Sequence, residues 1–249
     1  MKYIFFDSID STNNEAKRTV TNGSLTESTC FVAKKQTSGR GRCGKSFYSP
    51  ESGLYMTAVF PVNIPISSQV TMTTRSAVAV CEAINEATGM DCDIKWVNDI
   101  YIHGRKCCGI LCEAINDYDK EIMKYMIIGI GINILNHTWP EELKNIATAL
   151  FDDASSLPTS DFRTVLAEKI AGKLEKWLFL EPFDRFYSYY RSHSMVLDKE
   201  ITFTEGNIIR SGKAIDIAPD GGLVITTTDC SGKPETITLS SGEISIRLN

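Results

Sequence analysis

The most informative stretch of this 249-residue chain is Gly39–Ser46, which reads Gly-Arg-Gly-Arg-Cys-Gly-Lys-Ser. Its letters satisfy the P-loop pattern G-x-x-x-x-G-K-[ST], in which backbone amides and a following helix hold phosphates. The sequence after this segment contains Pro50 and Gly53 and then an apolar run, which predicts a strand and not a helix. We therefore expect the segment to be a loop between strands at 30–33 and 54–60, and we disfavour the P-loop interpretation.

The same loop is suited to binding an anion with its side chains. Arg40, Arg42 and Lys45 are cationic, and the glycines between them let the backbone approach a ligand closely. A guanidinium group donates two parallel hydrogen bonds to a carboxylate or a phosphate. A solvated basic loop is the alternative, but the flanking apolar strands favour a binding loop.

Composition limits the classes of function. The net charge of −5 and the pI near 5.3 argue against a general affinity for nucleic acids or membrane surfaces. Without a signal peptide or an apolar run of membrane-spanning length, the chain is expected to be cytoplasmic. The eight cysteines are irregularly spaced, and Cys107 and Cys108 lie on opposite faces of one predicted strand. We expect free, mostly buried thiols and no metal site.

Hydrophobic periodicity predicts an α+β domain followed by a small β domain. Strands are predicted at 2–6, 30–33, 54–60, within 91–113, and at 125–133, and later at 199–204, 208–216, 223–227, 236–239 and 243–248. Helices are predicted to begin at Ser11 and to cover 67–88, 141–148, 160–178 and 182–192. About fifty residues of short strands indicate a small β-barrel, so we divide the chain into 1–196 and 197–249.

A second chemically informative segment is the predicted hairpin with His103-Gly104 at its turn. This register places Asp99 opposite Cys108, and it places Asp99 and Lys106 on one face as diagonal neighbours. An exposed cross-strand salt bridge is the commonplace alternative. Apolar neighbours, and a strand glycine at Gly109 that permits close approach, favour a ligand site.

Taken together, these motifs resemble biotin protein ligases over nearly the whole chain. The resemblance is carried by Ser11–Asn13, Gln36–Arg42, Lys95–Asp99, Arg105-Lys106, Gly109–Leu111, Gly129–Asn133 and Ser241–Arg247. It implies an α+β fold with a mixed-sheet catalytic domain of the biotin/lipoate ligase type and a small C-terminal SH3-like β-barrel. Some members begin with a DNA-binding helix-turn-helix. Because this chain starts at the catalytic domain, it resembles the ligase-only type.

The resemblance implies a two-step reaction. Biotin and ATP, with Mg²⁺, give biotinyl-AMP and pyrophosphate, and a lysine of a biotin carboxyl carrier domain of a biotin-dependent carboxylase then attacks. No nucleic-acid or membrane partner is expected. A free sheet edge is compatible with a homodimer and with docking of the carrier, and the sequence does not distinguish the two.

The family's functional residues map onto matching positions of this chain. Arg40, Arg42 and Lys106 are the expected catalytic cations, and Asp99 is expected to orient or deprotonate the incoming lysine. The expected biotin-binding residues are Ser11, Thr12, Asn13, Gln36, Arg40, Gly41, Arg42, Lys106, Gly109, Gly129 and Gly131. The expected ATP-binding residues are Arg40, Arg42, Lys45, Asn98, Lys106, Asn133 and Arg247. The loop Gly39–Ser46 is expected to be poorly ordered without ligand.

The chain departs from the family pattern at Cys43, Lys45, Phe47 and Val97, where a basic residue, arginine, tryptophan and proline are common. The catalytic set is nevertheless complete, so we expect activity. Trp139 is assigned either to stacking on adenine or to packing against the helix after it. The competing interpretations are a lipoate or octanoate ligase, a non-catalytic biotin-binding module, a transcriptional repressor and a P-loop NTPase.

Overall fold

A seven-stranded mixed sheet forms the larger part of the molecule. The computed structural model describes residues 1–23, 25–205, 208–229, 231–240 and 244–246. The strands are β1 (Lys2–Ile9), β2 (Thr29–Gln36), β3 (Gly53–Pro65), β4 (Asp93–Lys95), β5 (Asp99–Ile102), β6 (Arg105–Asp117) and β7 (Ile122–Asn133). They are ordered β1-β2-β3-β7-β6-β5-β4, and only the β1–β2 pair is parallel.

In the part of the chain that the structure describes, four α-helices accompany the sheet. They are α1 (Thr12–Thr21), α2 (Gln69–Thr88), α3 (Phe162–Glu175), which runs into a π-helical turn over Lys176–Leu180, and α4 (Phe183–His193). As predicted, Ser11 caps α1 by accepting a hydrogen bond from the Asn14 backbone amide. As also predicted, Gly89 ends α2 in the left-handed conformation that glycine favours, with φ of 72°. Within the described ranges, none of the helices combines the length and apolarity needed to cross a membrane.

The helices cover opposite faces of the sheet. On one face, Ala16 and Val20 of α1 pack against Phe31, Val59 and Ile127. The other face carries the main core under α2, α3 and α4, because the strand residues between those positions point the opposite way. The α1 face therefore has a thin hydrophobic layer that leaves room for polar groups beside it.

The C-terminal strands form a second sheet. They are β8 (Glu200–Glu205), β9 (Ile208–Ile217), β10 (Leu223–Thr228), β11 (Pro234–Leu239) and β12 (Ile244–Ile246), ordered β11-β10-β9-β8-β12. All the pairings are antiparallel, which confirms the small β domain. Closure into a barrel is not seen in the described part, because β11 pairs only with β10 and β12 only with β8. The division of the chain at residues 196 and 197 stays a prediction.

The second sheet contacts the larger part of the molecule near the hairpin that carries Asp99 and Lys106. The β9–β10 turn brings the Gly221 carbonyl within 3.0 Å of the Trp96 indole nitrogen, which donates to it. Thr71 of α2 donates to the Asp220 carbonyl at 2.8 Å. Gly221 has φ of 90°, and an added Cβ would lie 2.7 Å from the Thr74 hydroxyl oxygen. This turn therefore requires glycine to pack against α2.

The prediction of a helix at 141–148 is wrong. Only Glu141–Leu143 forms a single 3₁₀ turn. The segment after it extends along β6, where the Lys106 amide donates to the Ile146 carbonyl at 2.8 Å and the Thr148 amide donates to the Lys106 carbonyl at 2.9 Å. The Ile146 and Ala147 amides still donate to the Leu143 carbonyl, but pairing with β6 at Lys106 takes the place of a continued helix.

Candidate active site

The basic loop closes on itself between β2 and β3. The Gly41 amide donates to the Lys45 carbonyl at 2.7 Å, the Phe47 amide donates to the Gly39 carbonyl at 3.0 Å, and Arg40 bridges to Ser46. The turn inside the loop is a three-residue 3₁₀ segment, and a strand follows it. This confirms that the P-loop interpretation was rightly disfavoured. The expected mobility of the loop stays a prediction.

A small polar cavity of about 50 Å³ opens beneath this loop. At its polar end, the Thr12 amide donates to Gln36 Oε1 at 2.8 Å, and Gln36 Nε2 donates to the Ser49 hydroxyl at 3.1 Å. Ser11 and Thr12 are buried where α1 begins. The cavity brings together Ser11, Thr12, Asn13, Gln36, Arg40, Gly41, Arg42, Phe47, Asn98, Lys106, Gly109, Leu111, Gly129 and Gly131. All the predicted biotin-binding positions therefore line one cavity.

Asn13 forms the floor of this cavity, and its carboxamide is already engaged. Its nitrogen donates to the Glu113 carboxylate at 3.0 Å and lies 3.4 Å from the Leu111 carbonyl, and its oxygen accepts from the Thr57 hydroxyl at 2.6 Å. The carboxamide also takes the space beside Gly129, where an added Cβ would come closer than 3.0 Å. Gly129 therefore leaves room for the Asn13 side chain, and its expected role in binding biotin stays a prediction.

Sequence reasoning missed Glu113 and Thr57. The Glu113 carboxylate lies 2.6 Å from Lys17 Nζ and 3.8 Å from Arg40 Nη2. Burial alone would raise the pKa of Glu113, but hydrogen bonds from Lys17 and Asn13 and the nearby positive charges lower that pKa below its ordinary value. The carboxylate is therefore ionised at neutral pH beneath the cavity.

The predicted cations lie along one side of the cavity. Arg42 Nη1 donates to Asn98 Oδ1 at 3.1 Å, and Asn98 Nδ2 donates to the Ile110 carbonyl at 2.8 Å. Lys106 Nζ lies 2.7 Å from Asp99 Oδ1 in a pair whose side chains are only about a quarter exposed. Arg42 and Lys106 are thus each held by a polar side chain from the segment Asn98–Asp99.

The predicted hairpin register is wrong by one residue at Asp99. The turn at His103-Gly104 and the Tyr101–Lys106 pairing are as predicted, but Ile100 pairs with Cys108 and Asp99 with Gly109. A β-bulge shifts the register between Ile100 and Tyr101, so Asp99 moves beyond its predicted partner Cys108. Asp99 and Lys106 still meet, because the long lysine side chain reaches across the bulge.

A larger cavity of about 720 Å³ adjoins the small one. Its lining includes Lys45, Asn133 and Trp139. Asn133 is buried and donates to the Thr148 carbonyl at 3.0 Å. The Trp139 ring lies 4.0 Å from the His137 ring, and its nitrogen donates to Asn136. The helix against which Trp139 was predicted to pack is not formed, and its stacking on adenine stays a prediction. Arg247 and residues 241–243 lie outside the described residues.

Phe47 separates the loop from the glycines on the cavity wall. Its ring lies 6.4 Å from the Tyr55 ring, edge to face. Added Cβ atoms would lie 2.6 Å from this ring at Gly131 and 3.1 Å from it at Gly109. Gly131 is therefore needed to admit the aromatic ring, whereas Gly109 leaves it a close but less restrictive contact.

Two families match the chain by sequence. Residues 5–133 match the Biotin/lipoate A/B protein ligase family, and residues 196–247 match the Biotin protein ligase C terminal domain. The chain is 34% identical over 243 residues to a Bifunctional ligase/repressor BirA of Bacillus subtilis, across 91% of this chain and 70% of that protein. It is 23% identical to a Biotin--[acetyl-CoA-carboxylase] ligase of Mycobacterium tuberculosis, across 94% of this chain and 85% of that protein.

Solved structures resemble this one over its full length. A biotin protein ligase from Aquifex aeolicus in complex with biotin and ATP has a TM-score of 0.75 at 26% identity, covering 100% of this chain and 99% of that one. A ligase from Leishmania major in complex with biotinyl-5-AMP has a TM-score of 0.62 at 22% identity, covering 95% and 98%. The second likeness concerns the fold alone.

Proposed function

We propose that this chain, which belongs to the biotin/lipoate A/B protein ligase family, is a biotin–[acetyl-CoA-carboxylase] ligase. It activates biotin with ATP and transfers the biotinyl group to a lysine of an acceptor protein. One observation carries the proposal: the small polar cavity and the larger cavity share Arg42, Asn98 and Lys106. Two anionic substrates bound in adjoining cavities would meet at the cations Arg42 and Lys106.

Biotin is assigned to the small cavity and ATP to the larger one. Hydrogen-bonding groups at Ser11, Thr12 and Gln36 suit the polar ring of biotin, and the cations suit its carboxylate. The small cavity, at about 50 Å³, lies well below the roughly 300 Å³ and more that is typical of ligand sites. We therefore propose that the loop Gly39–Ser46 and the Phe47 ring move when biotin enters.

In the first step, a biotin carboxylate oxygen attacks the α-phosphorus of ATP. A bond from this oxygen to phosphorus forms, the bond to pyrophosphate breaks, and pyrophosphate leaves. The two reactants repel each other as anions, so fixed cations are needed to hold them in contact. Arg42 and Lys106 occupy the junction of the cavities, and Arg40 lines the small cavity. Lys45 of the larger cavity, and Arg247 by resemblance, are assigned to the phosphates.

In the second step, the acceptor lysine attacks the carbonyl of biotinyl-AMP, and AMP leaves. An ammonium group must lose a proton before it attacks, and Asp99 is the carboxylate beside the junction. Tyr101 is unsuited to this role, because burial and the Asp99 charge raise the pKa of Tyr101 to about 12. We therefore assign Asp99 to orienting the amine and accepting its proton.

Mg²⁺ is proposed to arrive with ATP. In the part of the chain that the structure describes, no three His, Cys, Asp or Glu side chains are grouped closely enough to hold a metal ion. Mg²⁺ is commonly held by substrate phosphates and water with few protein ligands. We therefore assign the ion to the phosphates of ATP, and none of the steps above is routed through it.

The acceptor is proposed to be a biotin carboxyl carrier domain. Cytoplasmic localisation, the absence of a nucleic-acid partner and the oligomeric state stay predictions. Among the described residues, β1 and the part of β6 beyond its pairing with β5 each lack a neighbouring strand on one side, and either edge is suited to docking by strand addition.

The test is ATP–pyrophosphate exchange by the purified protein with Mg²⁺ and one of three acids. We expect exchange with biotin and none with lipoate or octanoate. Exchange only with lipoate or octanoate would assign the chain to the other activity of its family. An absence of exchange with all three acids would contradict adenylate formation and favour binding without catalysis.

A further inference from the structure

Glu113 is a half-buried ionisable group that the mechanism above does not use. Gly109 and Leu111 line the small cavity, and Glu113 is the next residue of β6 on the same face. Glu113 itself does not line the cavity. Its side chain is 20% exposed and faces α1 and the basic loop. It is therefore placed to act on the site through other residues.

Three groups from two other segments converge on this carboxylate. Asn13 Nδ2 donates to Oε2 at 3.0 Å, and Lys17 Nζ lies 2.6 Å from Oε1, so two positions of α1 are tied to β6. Arg40 Nη2 of the loop lies 3.8 Å from Oε1. A single carboxylate thus joins the helix that begins at the polar end of the cavity to the loop that closes over it.

Arg40 needs such a restraint, because its side chain is 43% exposed and long. Its second contact is with α1, where Arg40 Nη1 donates to Asn14 Oδ1 at 3.0 Å. Asn14 is held in turn by Asp10, and Asp10 forms an ion pair with Arg18. The guanidinium therefore lies between a neutral amide on α1 and a charged carboxylate on β6, and only the carboxylate opposes its charge directly.

We propose that Glu113 is a positioning residue that holds Arg40 over the small cavity. The inference rests on the proposed function, because the ligand that Arg40 meets is taken to be biotin. Glu113 touches neither substrate. Its effect should therefore appear in biotin binding and should require Arg40.

The test is a double-mutant cycle with Glu113→Gln and Arg40→Ala, read by the KM for biotin and kcat in pyrophosphate exchange. Glutamine has the same shape and removes the charge. We expect Glu113→Gln to raise the KM for biotin about fivefold, as for loss of a partly exposed ion pair, with kcat within about twofold. In the Arg40→Ala background, the same substitution should change this KM by less than about twofold.

The matched control is Asp117→Asn. Asp117 is on the same strand, is 15% exposed and forms an ion pair with Lys124 at 2.8 Å, away from the cavity. This variant should leave the KM for biotin unchanged, and thermal unfolding of every variant separates binding from stability. An equal KM change with and without Arg40, an unchanged KM in Glu113→Gln, or an equal change in Asp117→Asn would overturn the proposal. A wild-type protein without biotin-dependent exchange would instead refute the proposed function.

Discussion

Replacing Gly129 with alanine tests the floor of the cavity. The added methyl group would stand closer than 3.0 Å to the carbon, oxygen and nitrogen of the Asn13 carboxamide, whereas ordinary contacts begin near 3.4 Å. Asn13 is 4% exposed, so its carboxamide must move toward the cavity that it lines and leave its partners Glu113, Leu111 and Thr57. At about 1 kcal/mol for each of these three hydrogen bonds, the loss is about 3 kcal/mol.

For a chain of this length, that loss corresponds to a fall in Tm of roughly 6–12 °C, measurable by calorimetry together with urea unfolding. Gly172→Ala is the matched control. Gly172 is exposed in α3 and an added Cβ meets nothing within 4 Å, so helix propensity should stabilise this variant by about 0.5–1 kcal/mol. In an Asn13→Ala background, Gly129→Ala should cost less than about 1 kcal/mol. A Gly129→Ala protein as stable as the wild type would refute the packing argument.

The other predictions concern the cations and acid stability. Arg42→Ala should slow biotin-dependent pyrophosphate exchange by about 10²–10³, as for loss of one preorganised charge, while the exposed Arg185→Ala should not slow it; near-normal exchange would remove Arg42 from catalysis. Lys106→Ala should weaken biotin binding in calorimetric titration without changing the near-UV circular dichroism spectrum, and an unchanged affinity would exclude Lys106 from the site. Burial would raise the pKa of Glu82, but Lys176, Trp177 and Lys173 lower that pKa, so its ionised form stabilises the fold at neutral pH and this contribution is lost as pH falls below about 4. Glu82→Gln should therefore be less stable than the wild type at pH 7 in urea, with a gap that narrows in acid, and a gap that is independent of pH would contradict this.

Local signals in the sequence predicted the elements that position the loop. Ser11 caps α1 and Gly89 ends α2 because each acts on backbone groups a few residues away. The breakers Pro50 and Gly53 likewise excluded a helix after the loop. Such features depend on residues nearby in the sequence, so they can be predicted before the fold is known.

Features that depend on distant contacts could not be read in this way. The segment 146–148 is extended because it pairs with Lys106, about forty residues earlier in the chain. Glu113 meets Asn13 across 100 positions and Lys17 across 96, and nothing in its local pattern distinguishes it from other strand residues. The bulge that shifts Asp99 arises inside a regular apolar pattern.

The central claim is that this chain makes biotinyl-AMP and passes the biotinyl group to a carrier lysine. The most direct test is intact mass spectrometry of a biotin carboxyl carrier domain after incubation with the protein, biotin and MgATP. The carrier with its acceptor lysine replaced by arginine serves as the control. We predict one added biotinyl group on the unmodified carrier, dependent on ATP, and none on the control. An unchanged carrier mass in the presence of biotin-dependent pyrophosphate exchange would contradict the transfer step.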